Sequence, residues 1–169
     1  EAERNAIGIY TVEYDNSNKK DEKWYINTNQ SYAFGSGKVT ATYGTATAKA
    51  HADANFTAQD ETDGLGTEGE LKTRGLKYNL IQTVKSQAAN ELAKTDWYIT
   101  RKSEKSTAIP SNISTHRDAV RTKQAEMETA ITNAADTAAL ETLYKFVNTG
   151  TEESPVYERP LGELPRLES

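Results

Sequence analysis

His51 and His116 are the only imidazoles in the chain and the first residues to test for chemistry. A single imidazole works as a metal ligand or general base only beside a second ligand or an orienting group at suitable spacing, and neither histidine has one nearby in sequence. His116 falls on or beside an apolar helical stripe, where a hydrogen-bonded, half-buried histidine is the default. Cysteine is absent, which removes disulfides, thiolate nucleophiles and thiolate metal sites together and fits a reducing cytoplasm. No serine lies between nucleophile-elbow glycines, so acyl transfer has no candidate set. The expectation is no catalytic residue, no metal and no cofactor.

Two glycine-containing patterns carry a letter-level signal. Gly64-Leu-Gly-Thr-Glu-Gly69 matches the dinucleotide fingerprint. That motif works only after a hydrophobic strand that aims its glycines at a pyrophosphate. Here the preceding residues are Gln59-Asp-Glu-Thr-Asp63, and Asp60, Glu61, Asp63 and Glu68 would repel phosphates. The same stretch echoes a calcium loop, with Glu61, Asp63, Gly64 and Glu70 at the third, fifth, sixth and twelfth places, but Gln59 stands where the first carboxylate belongs. A solvated acidic linker is the reading taken. Trp24, Tyr25, Tyr32, Phe34 and Tyr43 could stack bases or sugars, yet only Lys23 and Lys38 lie near them as cations, and cross-strand pairing is preferred. The triplets beginning at Asn29, Asn55 and Asn112 fit the glycosylation pattern but are read as chance products of a polar chain.

The elements that must position any site follow from the bulk numbers. The chain has 169 residues, 36% hydrophobic, and a mean hydropathy of -0.78. One domain, or two small ones sharing a modest core, is the expectation. A net charge of -5 argues against a phosphate-binding surface, because nucleic-acid domains concentrate Lys and Arg on one face. No run approaches the ~20 apolar residues of a spanning helix and no leader pattern is present, so no membrane partner is expected. Because the sequence begins at Glu1 instead of Met, an ordered or processed part of a longer product is the expectation.

Asn5 to Tyr14 is rich in β-branched and aromatic residues and reads as a strand. Asp15 to Asp21 is all polar turn formers, where the chain should reverse. Lys23 to Asn29 and Ser31 to Phe34 would be the next strand or pair, with Lys38 to Tyr43 returning across a Gly35-Ser-Gly37 hairpin loop. Together they predict a small antiparallel meander that needs a helix or another chain to cover it. Thr45 to Gln59 reads as an irregular arm or a weak helix.

Beyond the linker, Leu76, Leu80, Val84, Ala88 and Leu92 recur at i+4 with Ile81 beside them, predicting a helix that ends near Lys94. Ile109-Pro-Ser111 opens a second helix with a stripe of Ile113, His116 or Arg117, Val120, Gln124, Met127 and Ile131. Asp136 caps a third that runs to Asn148, with Leu140, Leu143, Tyr144 and Val147 inward. Pro155, Pro160 and Pro165 make the tail extended, with Val156, Tyr157, Leu161 and Leu164 available to dock it. The fold class is therefore α+β: a small N-terminal antiparallel sheet over residues 1–59, an acidic Gly-rich linker over 60–70, a part of about three helices over 71–149, and an extended tail over 150–169.

At the helix junction, Trp97 can bury a large apolar area and fix the angle between helices. Arg117 and Arg121, one turn apart, form a ridge that can pair with Asp96, Asp118 or Glu104, or meet an acidic partner. Leu92, then Thr95-Asp-Trp97, a spacer, and His116-Arg117 with Arg121 four residues on, together resemble the tail-assembly chaperone and tail-fibre-associated proteins of tailed bacteriophages. In that family an L…TDW element ends one helix and an aromatic-Arg and an LR-like pair stand on the next. His116 replaces the usual Tyr, Val120 the usual Leu, and the spacer from Ser103 to Pro110 is long.

The resemblance implies a non-enzymatic phage protein that acts in tail or tail-fibre assembly by binding other tail proteins, in the host cytoplasm. The alternative is a structural virion component that stays in the particle and makes homo-oligomer contacts through the apolar tail and a sheet edge. Its partner-binding or helix-junction candidates are Trp97, Tyr98, Arg101, His116, Arg117 and Arg121. No small-molecule substrate is implied.

Overall fold

The Ser36–Gly37 pair has φ of 52° and 76°. Two successive left-handed residues make the tight turn whose twist matches a right-handed strand pair. It closes the antiparallel hairpin of β3 (Ser31–Gly35) and β4 (Lys38–Thr42) where the glycine-serine-glycine run predicts it. A computed structural model of the chain describes residues 2–28 and 30–167. The chain divides into two units between Lys49 and Ala50.

In the first unit, the strand expected over Asn5 to Tyr14 is corrected. The chain starts as a short helix, α1 (Ala2–Ala6), turns through Gly8 at φ 81°, and becomes strand only at β1 (Val12–Asp15). A left-handed residue cannot continue a strand, so the expected run is broken at Gly8 and pairs in the sheet only from Val12. The meander is corrected as well: β1 runs parallel to β4 with Val12 opposite Val39, giving the mixed order β1-β4-β3. Asp15 accepts the Ser17 amide at 2.9 Å, and the turn formers after it reverse the chain as expected. Only Tyr25–Ile26 of the next segment is strand (β2), paired antiparallel with β5 (Thr47–Ala48). Asn29, the end of that expected strand and the start of one glycosylation triplet, lies outside the described residues. Trp24, Tyr25 and Ala41 are the buried apolar residues of this unit, whereas Tyr32 and Phe34 are exposed.

The second unit contains the segment read as a linker. β6 (Ala54–Asn55) leads into α2 (Ala58–Thr62), and β7 (Leu71–Thr73) returns to pair with β6. Thr57 and Asp60 form a reciprocal capping box, which turns an acidic composition into a local stop-and-start signal. Residues 60–70 are thus a folded loop within this unit, and the division falls upstream of them.

α3 (Leu76–Ala93) and α5 (Ser111–Asn133) pair with each other, and α5 meets α6 (Thr137–Tyr144). The i+4 reading holds: Leu80, Val84 and Ala88 of α3 are buried, and so are Ile113, Val120, Met127 and Ile131 of α5. Each large side chain of that kind contributes about 1.5–3 kcal/mol on full burial. A fourth helix, α4 (Asp96–Lys105), occupies the segment read as a helix-ending junction and spacer. It ends on Ser106 in the left-handed region, and Pro110 then starts α5.

Asp136 caps α6 by accepting the Ala139 amide at 2.8 Å, as expected. The helix stops at Tyr144, short of Asn148. Val147 belongs instead to β8 (Val147–Asn148), is exposed, and pairs with β9 (Tyr157–Glu158) in the tail. Leu161 anchors that tail: it is buried, and its amide donates to the Leu143 carbonyl at 3.0 Å. Among the described residues, no helix is long and apolar enough to cross a membrane.

The start of α3 shows how backbone can replace a side-chain cap. Its first amides, those of Leu76 and Lys77, donate to the Ala50 and His51 carbonyls, and Gly75 donates to Asp53 Oδ1 at 2.8 Å. This brings Ala52 so close that a Cβ on Gly75 would lie 2.3 Å from its carbonyl atoms. Gly75→Ala should therefore destabilise the protein by about 1–3 kcal/mol, read as a lower urea midpoint.

Candidate functional site

The residues that carry the sequence resemblance meet at the junction of α3, α4 and α5. The end of α3 leaves carbonyls without intrahelical partners, and a buried cation is well suited to them. Arg117, on the inward face of α5, supplies it. Its Nη1 donates to the Leu92 carbonyl at 2.8 Å, Thr95 Oγ1 at 2.7 Å and Asp96 Oδ1 at 2.9 Å. Thr95 is fully buried and its hydroxyl donates back to the Leu92 carbonyl at 2.9 Å. The Arg117 side chain is 9% exposed and that of Asp96 61%. The ion pair is therefore wet on one side and dry on the other.

Asp96 also stands in the first turn of α4, where a carboxylate is favoured by the helix dipole. Arg117 thus ties the last turn of α3 to the first turn of α4. Arg117 Nε is buried without a hydrogen-bond partner.

Trp97 is not the clamp. It is 51% exposed on α4, and the junction is held by polar atoms instead. Its ring lies 3.8 Å, centroid to centroid, from that of Tyr98, and the Arg101 guanidinium sits over both, 4.6 Å and 5.3 Å from their centroids. Such cation–π contacts at a partly exposed site are worth about 0.5–1 kcal/mol. α4 itself contributes no buried residue, and Ile99 is exposed alongside Trp97. Trp97, Arg101 and Lys105 follow one another at i+4, with Tyr98 and Lys102 beside them, so one side of the helix is an aromatic and basic stripe. None of Arg101, Lys102 and Lys105 forms an ion pair among the described residues.

The expected Arg117–Arg121 ridge splits in two. Arg117 is spent inside the protein, while Arg121 is exposed and reaches Asp118 Oδ1 at 3.3 Å. Arg121 also lines an open groove with Leu92, Gln124 and Glu128.

His116 is placed apart from the aromatic stripe. Its side chain is 7% exposed, with Nε2 3.5 Å from Glu91 Oε1 and no hydrogen bond made by that nitrogen. Glu91 is also paired with Lys94 and accepts the Leu167 amide at 3.2 Å. The Lys94 ammonium, with help from that amide and from His116, holds the Glu91 carboxyl below the usual range against the opposing effect of burial. This carboxylate, which the i+4 reading left out, fastens the C-terminal tail to α3. Its sequence signal was its position three residues after Ala88 on the buried stripe.

The remaining acidic and glycine-bearing features serve local structure. Asp60 accepts from the Thr57 amide and hydroxyl and from Lys72 at 2.6 Å, and its carboxyl is lowered to about 2, chiefly by Lys72. Gly64 to Gly69 follow a helix and precede a strand, the reverse of what a pyrophosphate cradle needs. Among the described residues no group of three or more His, Asp or Glu side chains is placed to hold a metal. Comparison with models of known families, with curated proteins and with solved structures finds no match.

Two outcomes are expected. Arg117→Ala leaves the buried Thr95 hydroxyl without its donor, takes one of several donors from the Leu92 carbonyl, and should cost about 2–4 kcal/mol, whereas Asp96→Asn, at the solvent side, should cost less than about 1 kcal/mol; urea melts compare them. Because the folded Glu91 carboxyl is depressed, its contribution is present above the unfolded value of about 4.3 and is lost as pH falls through the lower folded value. The stability gap between wild type and Glu91→Gln should therefore shrink between about pH 5.5 and about pH 3.

Proposed function

We propose that the chain is a non-enzymatic phage protein that acts in tail or tail-fibre assembly by binding other tail proteins, in the host cytoplasm during assembly. The residues that resemble the tail-assembly chaperones support this reading as a group: Leu92, Thr95, Asp96 and Arg117 form one hydrogen-bonded joint. The observation that carries most weight is what this joint holds. A ten-residue helix is marginal in water by itself. α4 is tied at its first turn and exposes Trp97, Ile99, Lys102 and Lys105, with the half-buried Arg101 lying over the Trp97 and Tyr98 rings.

Tryptophan and arginine are the side chains that most often dominate protein–protein affinity. A partner that offers carboxylates and an apolar pocket to this stripe would bury Trp97 and neutralise Arg101. The acidic balance of the whole chain makes a cationic stripe stand out and disfavours nucleic acid as its occupant.

One observation favours the alternative, a structural component that remains in the virion: the first unit exposes Tyr14, Tyr32 and Phe34 on its sheet, and strand edges are ready templates for assembly. Mass spectrometry of purified particles separates the two, since an assembly factor is missing from them and a virion part is present in stoichiometric copies.

The test is co-expression with a phage fibre or tail polypeptide. Co-purification and a gain in fibre solubility are expected, with Trp97→Ala or Arg101→Glu weakening the complex at least about tenfold. No co-purification and no gain in solubility would count against the assembly role.

A further inference from the structure

The three-stranded sheet of the first unit has two unlike faces. Pairing puts Val12 opposite Val39 and Val39 opposite Phe34, and puts Tyr14 opposite Ala41 and Ala41 opposite Tyr32. Directly opposed residues share a face, so these six make one contiguous block. Tyr10 extends it, its ring 4.5 Å from that of Phe34. The other face carries Glu13, Thr40 and Ala33, then Asp15, Thr42 and Ser31, with Lys38 paired to Glu13.

Ala41 at the centre of the block is buried, but the side chains around it on the flanking strands are not covered. Tyr14 and Tyr32 are each 64% exposed, Phe34 62% and Val12 40%. Contiguous apolar patches on that scale mark interaction surfaces.

We infer that two copies of the chain associate face to face through this block, an inference that stands whether the protein is an assembly factor or a virion component. Three features select a second copy over another partner. The first is charge. Residues 1–49 contain six acidic and six basic residues, while the whole chain stands at -5. Two copies of this unit meet without net repulsion, and no ionised side chain on the block itself would attract a charged partner.

The second is shape. Ala41 on the central strand is buried, and Tyr14 and Tyr32, opposite it on the two flanking strands, are each 64% exposed, so the rings and not the centre of the face are open to a partner. A twofold contact needs a patch complementary to itself, and rings that flank a closed centre can pack beside those of a second copy.

The third is area. Four half-exposed rings and a valine offer on the order of 500 Å² per copy, hence about 1,000 Å² in total, near the lower bound for a specific interface. Sheets stacked in this way sit about 10 Å apart with their side chains interleaved.

Sedimentation velocity on the full chain between about 1 and 200 µM reads the outcome, in the range where an interface of that size associates. The expected result is a concentration-dependent dimer that Phe34→Lys and, separately, Tyr14→Lys shift to monomer by at least about tenfold in dissociation constant. Ala33→Lys, on the opposite face of the same edge strand, should leave the dimer intact. Circular dichroism checks that each variant is folded, and because both rings are largely exposed, one variant suffices if the other unfolds. A wild-type chain that stays monomeric throughout overturns the inference and leaves the face to a different polypeptide. A dimer that survives both face variants overturns it in favour of strand-edge pairing, and one that Ala33→Lys also dissociates overturns it in favour of a general charge effect.

Discussion

One buried guanidinium organises the helical unit. A helix end inside a protein carries unsatisfied carbonyls, and the residue that turns the chain away brings further polar atoms with it. Arg117 satisfies Leu92, Thr95 and Asp96 from a single nitrogen, on a helix that is distant in sequence from all three. The cation would be costly in a dry interior without partners. Here one of its three hydrogen bonds is to a carboxylate that faces solvent, and the other two are to a carbonyl and a fully buried hydroxyl. The geometry therefore fixes where α3 stops and where α4 starts more tightly than apolar contact would, because a hydrogen bond specifies distance and direction while a greasy contact specifies neither.

The same logic recurs at the other ends of α3. Its first turn is received by the Ala50 and His51 carbonyls and by Asp53, which forces Gly75 against the Ala52 backbone. Its last buried turn offers Glu91 to the tail, and Leu161 adds a buried side chain to that docking. Between these ends the helix needs only Leu80, Val84 and Ala88 to face α5. A sequence poor in large apolar residues can hold a long helix in this way, since its ends, where fraying begins, are each tied by a partner far along the chain.

Much of this helical unit is legible in the sequence. The i+4 recurrence names the buried side chains of α3 and α5 because helix geometry converts spacing into a face. The Asp136 cap and the left-handed hairpin turn are legible for equally local reasons. What escapes is long-range or depends on which side of a surface a residue lies. Size alone suggests that Trp97 is buried, but an indole at the first turn of a helix tied by polar atoms is free to lie outward on Tyr98 and Arg101. Acidic composition suggests that residues 60–70 are a linker, whereas Thr57 and Asp60 use that chemistry to start a helix. The parallel partner of β1 has no local signal, because β-propensity is the same for either direction of pairing.

The two exposed aromatic surfaces differ in what stabilises them, and that difference bears on what each can do. On α4, Arg101 lies over Trp97 and Tyr98, so the rings already have a cationic cover that a carboxylate-bearing partner must share or displace. That arrangement favours discrimination between partners, since a purely apolar ligand would strand the guanidinium. On the sheet, no cation among the described residues covers Tyr32 and Phe34 in this way, and the charged pair of Glu13 and Lys38 sits on the opposite face. Uncharged rings on either side of the buried Ala41 reward burial of apolar area without any charge to pair. The two surfaces therefore reward different chemistry, apolar burial on the sheet and carboxylates beside an apolar pocket on α4.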